Sequence, residues 1–350
     1  MRDGRVATLR PELTPKERAR RALSREPVDR LPTQCNYTAL MGKKLADYFK
    51  IPLCELPARL DNHLLRVDVA GPKCLRSEHG RTEYDWWGAG WSTETEGYWH
   101  AFAPLADSND LAHFLWPDPD APHLLDDAAT SMDAHRQLFV VPNIGMCLFE
   151  RAWSLRGFDR LLVDMIEMPD WVEHLLDRIT EIQVRLAKRF VEIGVDGGYF
   201  GDDYGAQHSM LFSPRLWRRL IKPRLARMFA VFRDAGLPVI LHSDGDIRAI
   251  LPDLVEIGVA ALNPVQPEVL DHAWLSRQFG VSLSFYGGIS TQTVLPKTDG
   301  AAVRRATVEC ARQLAPCGTG LLLGPSHRMQ SDIPPASVEA MLEAFRQLGV

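Results

Sequence analysis

The stretch Pro238-Val239-Ile240-Leu241-His242-Ser243-Asp244-Gly245-Asp246 decides how the rest of the chain is read. It follows Gly236, a helix-stopping residue, and its short apolar run ends in a burst of polar groups. Such a run has the pattern of a buried parallel strand that carries polar side chains to its carboxyl end. In α/β folds ligands bind at that end. His242 and Asp244 are two residues apart, so an extended backbone points both to one side. They form a candidate pair for a metal or a substrate.

Three runs of the same type follow: Ala261-Leu262-Asn263-Pro264-Val265-Gln266, Leu283-Ser284-Phe285-Tyr286-Gly287-Gly288, and a run from Gly320 to Ser326-His327. Upstream, Gly198-Tyr199-Phe200-Gly201 runs into Asp202 and Asp203, and further candidates lie at 138–146, at 64–70 with Arg66 and Asp68 inside it, and at 31–37. Helical patterns separate the later ones. Val172, Leu175, Leu176, Ile179 and Ile182 recur at helical spacing over 170–193, with Gly194 as the stop. Ser213-Pro214 has the form of a cap and first turn for the next helix. Eight strand candidates alternating with helices predict an α/β chain folded as one (β/α)8 TIM barrel over 1–350, with an elaborated N-terminal segment. No G-x-G-x-x-G or phosphate loop supports a nucleotide-binding alternative. The barrel reading places Tyr37, Asp68, Asp202, Asp203, His242, Asp244, Asn263, Gln266 and His327 around one mouth.

Residues 1–13 read as a loose arm, after which Thr14-Pro15-Lys16-Glu17 has the form of a capping box for a basic helix at 16–25. Between 76 and 100, Trp86, Trp87, Trp91 and Trp99 stand among glycines and acids, the pattern of turns and a hairpin. This segment belongs to an insertion, 76–125, expected over the barrel mouth; 115–122 is its proline-rich connector. The tryptophans either wall a flat substrate or, as aromatics more often do, pack against the body.

Bulk properties narrow the function classes. The 350 residues are 46% hydrophobic, ample for a core, and 40 basic against 45 acidic side chains give a formal charge of −5. That balance argues against a nucleic-acid partner. No apolar run approaches the roughly 20 residues that span a bilayer, and no apolar signal core follows Met1, so no membrane and a cytoplasmic location are expected. Six cysteines without a C-x-x-C pair read as buried reduced thiols. A homodimer is the default assembly.

Two histidines with a carboxylate are a ligand set for zinc, iron or manganese, which His242, Asp244 and His327 could supply. The same residues also occur as hydrogen-bonded structural groups, and Asp244-Gly245 alone can be a turn. Asp202-Asp203 could hold a cation or act as a base, although adjacent residues seldom share a direction and one reads as a cap. Ser326-His327 has no acid close in sequence, which weakens a serine nucleophile. Asn263 and Gln266 either orient a polar substrate or satisfy backbone.

The chain resembles the uroporphyrinogen decarboxylase superfamily from Arg18 to its end. The motifs that carry the resemblance are Glu26-Pro-Val-Asp-Arg-Leu-Pro32, Gly201-Asp-Asp203, His242-Ser-Asp-Gly245, Asn263-Pro-Val-Gln-Pro267, Gly287-Gly-Ile289, and Ser326-His327 followed by Pro334-Pro335. The superfamily implies a barrel with either of two chemistries. Its decarboxylases use an arginine-rich segment after the first strand for the porphyrinogen carboxylates; here that segment, Thr33-Gln-Cys-Asn-Tyr-Thr-Ala-Leu40, has no arginine. They also use an aspartate on the second strand, matched by Asp68, and a histidine near the last, matched by His327. Its corrinoid-pathway methyltransferases hold zinc with a His-x-Cys pair and a later cysteine, positions matched by His242, Asp244 and His327. The resemblance therefore implies a metal-dependent methyltransferase or demethylase acting on a small substrate. Zinc would sit on His242, Asp244 and His327, a thiol or a corrinoid on a partner protein would exchange the methyl group, Asp202 or Asp203 would handle the proton, and Tyr37 or Gln266 would position the substrate. The alternative is a metal-free decarboxylase in which Asp68 stabilises a cationic intermediate and His327 or Arg151 holds the carboxylate. A third reading is a non-catalytic binding barrel.

Overall fold

A computed structural model describes residues 12–70, 80–97, 99–296 and 299–348. Seven parallel strands form one curled sheet: β1 (Leu64–Val67), β5 (Phe139–Ile144), β6 (Gly198–Gly201), β7 (Val239–His242), β8 (Ala261–Asn263), β9 (Ser284–Ile289) and β10 (Leu321–Pro325), neighbours in that order. Between β1 and β5, a three-stranded antiparallel sheet is built from β2 (Thr82–Tyr84), β3 (Gly90–Ser92) and β4 (Trp99–Phe102). From β5 onward every strand is followed by at least one helix on the way to the next, which is the alternation read from the sequence. The helix expected at 170–193 is Pro169–Glu192, and its buried face includes Val172, Leu175, Leu176, Ile179 and Ile182. Ser213 caps the helix Pro214–Leu220 by accepting from the Leu216 N–H.

The sheet is α/β and TIM-like, but among the described residues it is not a closed ring of eight strands. The expected first strand, 31–37, makes only isolated parallel bridges: Thr33 to Asn62 beside β1, Thr33 to Leu323 on β10, and Tyr37 to Met329. The local chemistry explains the loss of a regular ladder. Pro32 has no N–H to donate. The Cys35 N–H goes to the Asn62 side chain at 2.7 Å, and the Leu64 N–H is taken by Gln34 Oε1 at 2.9 Å. Side-chain amides thus do what strand partners would have done.

Alternation along the strands separates an inner from an outer face. Leu64, Phe139, Val141, Tyr199, Ile240, Ala261, Tyr286 and Leu322 form one interior cluster, joined by Ala19 and Leu23 of the N-terminal helix. That helix, Pro15–Leu23, has the expected capping box: Thr14 Oγ1 accepts from the Glu17 N–H, and Glu17 Oε2 from the Thr14 N–H at 2.9 Å. Its apolar face fills the amino-terminal end of the sheet and leaves the carboxyl end open for chemistry. The outer residues Val239 and Leu241 are buried in the larger cluster shared with the helices, each such side chain contributing about 1.5–3 kcal/mol.

The arm expected at 1–13 lies outside the described residues up to residue 11, but Leu13 is tied down through its N–H to Asp29 Oδ2 at 3.0 Å. The expected hairpin region is the β2–β3–β4 sheet; its part at 76–79 is outside the described residues. Trp87 is buried, and Trp91 meets Trp153 edge to face with centroids 6.1 Å apart, so these rings pack on the helix Phe149–Arg156 as aromatics usually do. Trp99 alone of the four is mostly exposed. The tip beyond β3 turns back to the main sheet: Glu96 hydrogen-bonds Thr38 Oγ1, and accepts from Ser331 Oγ at 2.6 Å.

Candidate metal and substrate site

His242 ends β7 on its inner face, and its orientation is set by the neighbouring strand. Asn263, at the end of β8, donates from Nδ2 to the Tyr286 carbonyl at 3.0 Å. A carbonyl only accepts, so the amide oxygen must face the other way. There Asn263 Oδ1 accepts from the Tyr199 hydroxyl at 2.9 Å and from His242 Nδ1 at 2.7 Å. His242 therefore carries its proton on Nδ1 and presents the Nε2 lone pair to the mouth, the arrangement that metal-binding imidazoles adopt.

Nε2 of His242 lies 3.9 Å from Asp244 Oδ2, and Nε2 of His327 lies 3.5 Å from the same oxygen. One ligand atom from each of the three residues falls within 4.8 Å of the others. Around a tetrahedral zinc with bonds near 2.05 Å, ligand atoms stand about 3.3 Å apart, so small side-chain adjustments close the set. The donor chemistry fits a borderline divalent ion: two imidazoles and one carboxylate, with one imidazole held by a partner behind it. Gly245 makes the turn after Asp244 in a left-handed conformation, φ +77°, where a Cβ would run into the Gly205 backbone. The Gly245 N–H points to Gln266 Oε1 at 3.4 Å. Asp244, His327 and Gln266 line one cavity of about 430 Å³, together with Thr291, Gln292 and Arg328.

The two adjacent aspartates divide as their geometry requires. Asp202 is fully buried and accepts from the N–H groups of Leu148, Phe149 and Glu150 and from the Tyr204 hydroxyl. It caps the helix Phe149–Arg156 and points away from the mouth chemistry; burial raises its pKa to about 6 against those hydrogen bonds. Asp203 turns to the mouth, accepting from the Asp244 N–H at 2.8 Å with its Oδ1 3.8 Å from His242 Nε2. Burial raises the Asp203 pKa, opposed by His242.

Sequence reasoning missed Glu150. Its carboxylate accepts from the Asp203 N–H, and burial together with Asp203 and Asp202 pushes it well above the usual carboxylate range. It sits in the first turn of a helix, where an acidic residue is ordinary, so its sequence position carries no signal.

Other expected site residues stand elsewhere or in other roles. Arg151 is engaged by Asp85 Oδ2 at 2.5 Å and lies over the Trp87 ring, so it fastens the β2–β3–β4 sheet instead of awaiting a substrate carboxylate. Tyr37 is partly buried in the core, its ring lying across Gly42 of the helix Ala39–Phe49. Asp68 is exposed just past β1 and accepts from Asn143 Nδ2 at 2.8 Å. Asn263 faces His242, and its three side-chain hydrogen bonds, to Tyr199, His242 and the Tyr286 carbonyl, are all within the protein. Ser326 Oγ accepts from the Thr291 N–H at 3.2 Å, and among the described residues no base is hydrogen-bonded to it. Of the cysteines, Cys35, Cys147 and Cys310 are buried as expected, whereas Cys54 and Cys317 are exposed; Cys74 is outside the described residues.

The family model for uroporphyrinogen decarboxylase (URO-D) matches residues 141–348, from β5 through the last helix. The chain belongs to this family. Among solved structures it is similar to a methyltransferase from Methanosarcina mazei, with a TM-score of 0.72 and 20% identity over 96% of this chain and 99% of that one. It is also similar to a B12-independent methionine synthase from Shewanella sp. W3-18-1, solved with selenomethionine, with a TM-score of 0.51 and 11% identity over 91% of this chain and 98% of that one. At these identities the likeness is one of fold. No curated protein matches the chain. Among the described residues of this URO-D family member, no helix is long and apolar enough to cross a membrane.

Proposed function

We propose that the chain is a metal-dependent methyltransferase or demethylase for a small substrate, with His242, Asp244 and His327 as the ligands of a divalent ion, zinc above others. The observation that carries this reading is the fixed tautomer of His242. Asn263 turns the Nε2 lone pair toward Asp244 and His327, the orientation that a metal-binding imidazole takes when a partner behind it holds the other nitrogen. The fold shared with a methyltransferase over nearly the whole chain supports the same chemistry.

When bound, such an ion lowers the pKa of a thiol or polarises the substrate heteroatom, as Lewis acids do. The chain's own residues do the rest. Asp203 is the mouth-facing carboxylate that takes up or returns the proton of the acceptor thiol, and Glu150, whose pKa burial and the neighbouring Asp203 and Asp202 raise, is the reserve acid for the leaving heteroatom. Gln266 orients the polar end of the substrate in the cavity. The methyl group passes between the substrate heteroatom and a thiol, or a corrinoid carried by a separate protein.

The family's other chemistry, decarboxylation, is the second reading, and membership of the uroporphyrinogen decarboxylase family favours it. In that case Asp68, past the end of β1, would stabilise a cationic intermediate without metal. A chelator separates the two. Under the first reading, dialysis against a strong chelator abolishes methyl transfer from a panel of methyl donors to a thiol or a corrinoid protein, and zinc restores it. Carbon dioxide release from carboxylic acids that survives chelation would replace that reading with the second.

A further inference from the structure

Two guanidinium groups face the same mouth from opposite edges of the sheet. Arg66 lies on β1 two residues after Leu64, a member of the interior cluster, so the pleat turns Arg66 inward as well. Its Cζ stands 4.9 Å from the centroid of the Tyr199 ring. That ring lies 6.4 Å from the His242 imidazole, and its hydroxyl shares Asn263 Oδ1 with His242. Arg328 follows His327 directly, just past β10, and lines the cavity that contains Asp244, Gln266 and His327. β1 and β10 are the two edge strands of the sheet, and the segment around Thr33 bridges to both sides, so the two arginines flank one short segment. In keeping with that placement, both guanidinium charges lower the pKa of the Tyr199 phenol against the burial that raises it.

Asp203 and Asp244, from the ends of β6 and β7, stand beside His242 at the same mouth. We infer that Arg66 and Arg328 form a subsite for the carboxylate of the substrate, which is therefore a small organic acid bound with its anionic end toward β1 and β10. Its reacting heteroatom then lies toward His242, Asp244 and His327. This rests on the reading of the mouth as the reaction site, and it names the substrate class. Guanidinium forks bind carboxylates with short, charge-assisted hydrogen bonds. Both arginines also make other interactions within the molecule, and five donors apiece allow a guanidinium to serve more than one partner.

The test is a fluorine NMR titration of the metal-free protein with 4-fluorobenzoate, using 4-fluorobenzamide as its uncharged counterpart. The acid is expected to bind about tenfold more tightly than the amide, Arg66→Gln and Arg328→Gln to erase that preference while leaving amide binding unchanged, and Arg66→Lys to retain part of it. Equal affinity for acid and amide in the native protein would overturn the inference, as would unchanged acid binding in both glutamine variants. Should Arg66→Gln fail to fold, Arg328→Gln and Arg66→Lys decide. Because the protein carries no metal in this titration, its outcome is separate from whether His242, Asp244 and His327 bind an ion.

Discussion

At the scale of single residues, Asn263 is the side chain on which the site turns. One amide receives a histidine and a tyrosine on its oxygen and gives a hydrogen bond to a buried carbonyl, so no rotation of its side chain is left. Asn263→Ala frees the His242 ring to turn and to carry its proton on either nitrogen. Zinc affinity, followed by competition with a chromophoric chelator, is expected to fall about 10–100-fold with the fold intact by circular dichroism. Unchanged affinity would mean that Asn263 serves only the backbone. The pairing of His242 with Asp244 was legible in the sequence from the period of a strand, and His327 from its matching position after the last strand. The role of Asn263 was not, because a strand-end asparagine looks the same whether it faces a substrate or a histidine. Glu150 was hidden for a different reason: its raised pKa follows from burial and from the nearby Asp203, which no local pattern records.

Among the elements, the helix Phe149–Arg156 links the scaffold to the mouth. Asp202 holds its amino-terminal N–H groups, while Arg151 on the same helix fastens Asp85 of the β2–β3–β4 sheet. Burial pushes the Asp202 carboxyl up to about 6 in the folded protein, above the ordinary aspartate range of the unfolded chain, so between the two the folded state holds a proton that the unfolded chain has released. Stability then falls as pH rises through that window. Asp202→Asn, which cannot ionise, is expected to flatten this slope in urea denaturation curves taken from pH 4 to 7; an unaltered slope would place the titration elsewhere. Arg151→Ala leaves Asp85 without its ion-pair partner beneath the tryptophans and is expected to cost about 3–5 kcal/mol in the same assay. If it instead raised KM for an acidic substrate at unchanged stability, Arg151 would be a ligand after all. The sequence allowed either fate for one of the paired aspartates, since neighbours in a chain diverge in direction. It could not show which one the helix would claim, because that depends on where three N–H groups from a distant segment arrive.

In the whole molecule, the regular half from β5 to the last helix was readable from alternation alone, and it is the half that the family model matches. The 31–37 segment has the pattern of a full strand but makes only isolated bridges, because Asn62 and Gln34 replace its ladder with side-chain hydrogen bonds, a substitution invisible to a hydrophobic pattern. The packing of the β2–β3–β4 sheet was also only partly legible, since Glu96 meets Ser331 across 235 positions of sequence. That contact holds the sheet's tip beside the rim of the cavity, where Gln330, Asp332 and Ile333 line the wall. Glu96→Ala is expected to expose the 80–102 segment to limited proteolysis severalfold faster than in the native protein, with the main sheet resistant; equal rates would show that the tryptophan packing suffices. The measurement that bears most directly on the function is the metal content of protein purified without added metal, with His242→Ala and His327→Ala beside it, each checked for native circular dichroism. About one equivalent of zinc in the native protein, lost in both variants, is the predicted result. Full metal content in the His242 variant, or a native protein that neither carries zinc nor takes it up on reconstitution, would contradict the account.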